Sequence, residues 1–262
     1  MSNPQTENGA RWGLIIGAMA LVLVLIVSGA TLISFIGGSE TTAQEEVIPK
    51  VVRDERNATR DQLGRTVFTP VNEAGDVLER VNTGPDENSS TYYTARPDVE
   101  WQRLSGKTEQ AIGRDYPYSA VAGPWEITEG VAHGFAHSPQ GAALAGIHML
   151  NGVAQGGEKA ARASRQFVDD EKTVEMMNLL LSEPEAPELP EMPWARTFAS
   201  YLVVDYDKDA ATIRYGLADG GGYASWDISL HWADGDWKMS EESVAEELEP
   251  VTETQMQSWV VL

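Results

Sequence analysis

The sequence predicts an α+β protein, with helices packed on a curved antiparallel sheet and carried behind one transmembrane helix and a disordered linker. Three observations lead there. Between Trp12 and Ser39 the chain has no charged residue. Over residues 139–181 apolar side chains recur at helical spacing. From Phe198 onward they alternate with polar ones, the period of a strand with one buried face.

The first element is the uncharged run, whose centre reads LIIGAMALVLVLIVSGATLISFI. About 20 apolar residues cross a bilayer as a helix, so 12–38 is read as a membrane span with some tilt. A cleaved secretory signal is the alternative, but its apolar region is only about 7–15 residues long. Residues 1–11 form the preceding tail. Arg11 and the terminal amine sit before the span, whereas Glu40, Glu45 and Glu46 follow it ahead of Lys50. Basic residues mark the cytoplasmic side, so the expectation is a single-pass protein of the cell membrane, N-terminus cytoplasmic and C-terminal domain extracytoplasmic.

Residues 39–95 are polar, mixed in charge and without sustained periodicity, as in a flexible tether. A chain of that length has a root-mean-square span of about 40 Å. Within it, RTVFTPV has the composition for local strand pairing. Asn57-Ala-Thr and Asn88-Ser-Ser match the glycosylation pattern but occur too readily by chance to carry weight.

The extracytoplasmic domain is placed at 96–262. VEWQRL reads as its first strand, and DYPYSAVAGPWE as loops. From Gly130 to His137 large side chains (Val131, His133, Phe135, His137) alternate with small ones, which predicts a strand. Ser138 then stands at an N-cap position with Pro139 at the first helical one, before the Ala-rich run holding Ala143, Ile147 and Leu150. Two more helices are expected over EKAARASRQFV and EKTVEMMNLLL. In the latter the Met pair is read as core filler. SEPEAPELPEMP has proline at every third residue and predicts an extended acidic crossover, or else a ligand for an aromatic groove. FASYLVVDY, AATIRYGLA, YASWDISLHW and DWKMS read as four antiparallel strands, with turns at DKD, DGGG and ADGD. The acidic tail is expected to wrap back, with Trp259 to Leu262 as a last strand.

Bulk charge excludes some functions. Asp and Glu number 40 against 19 Lys and Arg, a formal net charge of −21. Such a surface repels phosphate backbones, so no direct nucleic acid binding is expected. There is no Cys, which leaves no thiolate nucleophile and only His and carboxylates as metal ligands.

The motifs that resemble chemistry fail on spacing. His133 and His137 would share a face on a helix. On a strand they stand about 13 Å apart, whereas two zinc-bound nitrogens approach within about 4 Å. Asp205, Asp207 and Asp209 open like a calcium loop. Ala210 then stands where Gly is needed, and Gly216 where a bidentate Glu is needed. Asp227 and His231 share a strand face but are too far apart for a direct dyad. A site built with His148 has no support in the pattern. No phosphate-binding loop or nucleophile elbow is present. The expectation is a non-enzymatic protein with no catalytic, cofactor-binding or metal-ligating residues and no cofactor.

Gly123-Pro124, GFAHSPQGA at Gly134–Ala142 and W-x-D-G-D-W at Trp232–Trp237 together resemble a family of actinobacterial membrane-anchored proteins of integrative and conjugative elements. The likeness spans residues 95–240 and excludes the acidic crossover and the tail. Such proteins look like distant counterparts of the inner-membrane scaffold subunit of type IV secretion systems. The resemblance implies a cone-like fold of the nuclear-transport-factor-like group. It also implies a scaffold role in conjugative DNA transfer, with other transfer-apparatus proteins as partners and homo-oligomerisation or co-purification with them. The alternative is an extracytoplasmic small-ligand-binding module or enzyme with a pocket inside the cone, since that fold hosts both kinds of protein.

Overall fold

A computed structural model describes residues 57–82, 84–104, 113–154, 162–163, 166, 197–219, 221–239 and 248–262. No helix among them is long and apolar enough to cross a membrane. The expected span 12–38 lies outside the described residues, as do the third helix and the acidic crossover, and nearly all of the second helix.

The described chain is α+β, with two main sheets. The first has the order β1-β2-β3-β4, built from Ala58–Arg60, Thr66–Phe68, Glu100–Leu104 and Arg114–Tyr118. A small hairpin follows, β5 (Glu126–Thr128) and β6 (Val131–His133). Helix α1 runs from Pro139 to Ala154. The second sheet contains β7 (Thr197–Tyr206), β8 (Ala210–Asp219), β9 (Gly222–Ala233) and β10 (Asp236–Met239) as antiparallel neighbours. The tail supplies β11 (Glu249–Val251), a one-turn helix α2 (Glu253–Met256) and β12 (Val260–Val261). β11 pairs with β9, and β12 pairs with β7.

The four C-terminal strands form where the alternation placed them. On β9, Ala224, Trp226, Ile228 and Leu230 are buried, while Asp227, Ser229 and His231 lie on the opposite face. Asp234 and Gly235 both adopt left-handed backbone (φ 56° and 81°), which makes the tight β9–β10 turn. Lys208 does the same (φ 77°) between β7 and β8. β7 carries two register shifts, between Phe198 and Ser200 and between Val203 and Asp205. Such bulges bend a strand.

Helix α1 starts as its cap predicts, with Ser138 Oγ accepting from the Gly141 amide at 3.1 Å. Every residue from Pro139 to Asn151 is buried, so the helix is sheathed on all sides rather than amphipathic. It packs on β7, β8, β9 and β10 with one flank and on β4 and β6 with the other. Gly146 is required by close approach: a Cβ there would lie 2.2 Å from the Tyr215 hydroxyl. That hydroxyl donates to the Ala143 carbonyl at 2.7 Å.

Three expectations are corrected. Residues 57–95 are not a featureless tether. Val67 on β2 is fully buried in the main core, β2 pairs in parallel with β3, and Tyr118 donates to the Ala74 carbonyl at 2.7 Å. Strands of three residues are too short to show a period, so residues 57–95 join the folded domain expected to begin at residue 96. DYPYSAVAGPWE is not all loop, because its first residues belong to β4. Pro117 is tolerated there because β4 is an edge strand and the Pro117 carbonyl faces His148 instead of β3. The strand expected over Gly130–His137 stops at His133, where Gly134 turns into left-handed backbone (φ 75°). Beyond it, Phe135 plugs into the core and His137 points elsewhere.

Candidate functional site

The three motifs that stand out in the sequence meet in one place. The loop between β6 and α1 runs through Gly134, Phe135 and Ala136. The Asp236 carboxylate accepts from the amides of Gly134 at 2.8 Å and Phe135 at 3.1 Å, and from the Trp237 amide at 2.9 Å. Trp237, fully buried, donates its indole N–H to the Ala136 carbonyl at 2.9 Å. His137 stacks on Trp232 with ring centroids 4.0 Å apart and planes 9° from parallel. Gly123, followed by a cis bond to Pro124, lies against the same loop: a Cβ there would meet the Gly134 carbonyl at 2.8 Å. The W-x-D-G-D-W hairpin is therefore a clamp on the GFAHSPQGA loop, and both motifs serve the fold.

The candidate histidines go to separate tasks. His133 Nε2 is 2.7 Å from Thr128 Oγ1. His137 Nε2 donates to the Lys208 carbonyl at 2.7 Å and lies 3.7 Å from Asp209. His148 is enclosed by Tyr116, Tyr118 and Phe135 at centroid distances of 5.0, 5.1 and 5.2 Å. Its Nε2–H donates to the Pro117 carbonyl at 2.7 Å. Burial holds the ring neutral and lowers its pKa to about 4, against that hydrogen bond, which favours the charged form. Among the described residues no three His, Asp or Glu side chains gather as a metal site would require.

The acidic candidates are turn and ion-pair groups. Asp207 Oδ1 accepts from the Ala210 amide at 2.7 Å, an arrangement that closes the β7–β8 hairpin. Asp227 is held by Arg214 through two bonds of 2.5 and 2.6 Å, a cross-strand fork from β8 to β9. The tail ends as the last strand, with Val260 opposite Tyr201. Met256 and Trp259 cover Gly216 on the face of the sheet away from α1.

Sequence reasoning missed Asp236 as a loop clamp and Arg65 as an inter-sheet tie. Arg65 Nη1 donates to the Phe198 carbonyl at 2.7 Å, and its guanidinium lies over the Trp101 ring, 3.8 Å from the centroid. Gly134 and Phe135 lie more than a hundred positions from Asp236, as Phe198 does from Arg65, and no local pattern announces such a contact.

The space between α1 and the second sheet is lined by buried, largely apolar side chains. Leu144, Ile147, Met149, Tyr215, Ile228 and Trp237 are all fully buried there. Fold and motifs thus define an α+β domain whose marked residues hold a loop, a helix and a sheet together. Residues 67–261 match the family described as a domain of unknown function, DUF8175, and the chain belongs to that family. No curated protein and no solved structure matches the chain.

Proposed function

We propose that the protein is a non-enzymatic, membrane-anchored scaffold or assembly component of a conjugative, type IV-like DNA transfer apparatus. It acts through protein contacts, with residues 12–38 as the single-pass anchor and the α+β domain on the extracytoplasmic side. The observation that carries this reading is the lining between α1 and the second sheet, where apolar side chains such as Leu144, Ile147, Met149 and Ile228 are fully buried. A ligand-binding or catalytic member of a cone-like fold needs that space open and lined by convergent polar groups. The helix-then-four-strands order and the bulged β7 support the finer assignment to the nuclear-transport-factor-like group. Crosslinking of the full-length protein in its own cells, followed by mass spectrometry, tests the reading. Crosslinks between copies or to other transfer components are expected. A protein that stays solitary at crosslinker doses sufficient to capture known neighbours overturns it.

A further inference from the structure

A cleft of about 380 Å³ opens beside the first sheet. Its size falls in the range of small-ligand sites, roughly 300–1,000 Å³. Phe68, Val99, Trp101 and Leu262 give it apolar walls, and two guanidinium groups, of Arg65 and Arg96, line it. Arg65 spends Nε on Asp61 Oδ2 at 2.6 Å and Nη1 on the Phe198 carbonyl at 2.7 Å. Its Nη2 is buried and has no acceptor, the condition in which a polar group gains most from a new partner. Arg96 is exposed and makes no ion pair among the described residues. We propose that this cleft binds a small monocarboxylate with an apolar body. The carboxylate lies between Arg96 and the Nη2 edge of Arg65, reached by a small shift of the Arg65 side chain, and the body lies on the apolar walls.

The charges around the cleft set the ligand class. Burial lowers the Arg65 pKa, and the positive charge of Arg96 lowers it further, although Asp61 and Asp115 oppose the effect. One added negative charge near both guanidinium groups relieves that repulsion. Asp98 and Glu100 also line the cleft, and Glu100 Oε1 already accepts from Gln102 Nε2 at 2.9 Å. These carboxylates repel a second negative charge, so a dicarboxylate or phosphate is disfavoured against a monoanion. Nothing in this site depends on the scaffold reading.

The test is ¹⁹F NMR on the full-length protein in nanodiscs, with empty nanodiscs as reference. The probes are 4-(trifluoromethyl)phenylacetate, its neutral amide and the corresponding malonate dianion. Saturable binding of the monoacid is expected, with the amide and the dianion at least about tenfold weaker. Arg96→Gln weakens the monoacid by about tenfold or more, Arg96→Lys by less, and neither alters thermal unfolding, because Arg96 is exposed. Equal binding of acid and amide overturns the proposal. So does the absence of saturation above the empty-nanodisc signal, or an Arg96→Gln variant that binds like the wild type.

Discussion

Replacing Asp236 with Ala removes the acceptor shared by three backbone amides. The Trp237 amide is adjacent in sequence, but those of Gly134 and Phe135 arrive from a loop about a hundred positions away, at 2.8 and 3.1 Å. A donor stranded by loss of its partner costs about 1–3 kcal/mol when fully buried, with hydrogen bonds to charged groups at the upper end. These two sites are part-buried, so water recovers some of that, and the expected loss is about 2–4 kcal/mol. Asp236→Asn keeps one carbonyl acceptor and loses about half as much. Urea unfolding followed by tryptophan fluorescence and far-ultraviolet circular dichroism measures both variants. Trp237→Phe deletes the second tie on this loop, the indole bond to Ala136. If the loop is held as one unit, the double variant loses less than the sum of the singles, by about 1 kcal/mol. A loss below 1 kcal/mol for Asp236→Ala at unchanged denaturant slope, or strict additivity with Trp237→Phe, refutes the clamp.

Other outcomes follow from the same packing. His148 has a folded pKa of about 4 against 6.5 when unfolded, so the unfolded chain binds the extra proton between those values. Its contribution is therefore complete above pH 6.5 and is lost as pH falls toward 4, by about 3 kcal/mol. The stability gap between wild type and His148→Gln should shrink by that amount from pH 7 to pH 4, and a constant gap refutes the assignment. Gly146→Ala forces a methyl group onto the Tyr215 hydroxyl and is expected to cost about 2 kcal/mol or more. Tyr215→Phe in the same chain should recover part of that loss, as read from the unfolding midpoints. Leu262, 3 % exposed at the end of the last strand, should cost about 2–4 kcal/mol when cut to Ala, measured by chemical denaturation.

Legibility in the sequence tracks the length of the repeating pattern. β7, β8 and β9 have ten or more residues each, so alternation had room to show. Ser138-Pro139 marked the start of α1 because capping is a local event. β1 and β2 have three residues each and derive their order from neighbours far along the chain, which left 57–95 looking like a tether. His133 and His137 would pair only on a helix; the strand reading already separates them, and Gly134, in left-handed backbone, sends them to different partners. The cleft was invisible for a different reason: Arg65 and Arg96 stand ahead of β2 and β3, which pair in the first sheet, whereas Leu262 arrives with β12 on β7. W-x-D-G-D-W was visible as a turn, but its Asp236 carried no local sign that it would grip a loop from before α1.

The two ends of the described chain converge on one short stretch of β7. Arg65, just ahead of β2, donates to the Phe198 carbonyl. The amide of Leu262, just past β12, donates to the carbonyl of Ala199 at 3.1 Å, and the β7–β8 register skips that residue. That bond continues the β12–β7 ladder, with Val261 opposite Ser200. The same tail has already crossed the far face of the sheet, pairing β11 with the first half of β9 while β10 occupies the second half. Under the proposed anchoring, a pull from the membrane side reaches the first sheet ahead of the second, because β1 and β2 precede β7 in the chain. It passes through the three-residue strands of the first sheet and enters the second sheet at Phe198, beside the docked tail. The first sheet thus meets β7 beside the C-terminal strap, through Arg65 at Phe198 and next to Leu262 at Ala199.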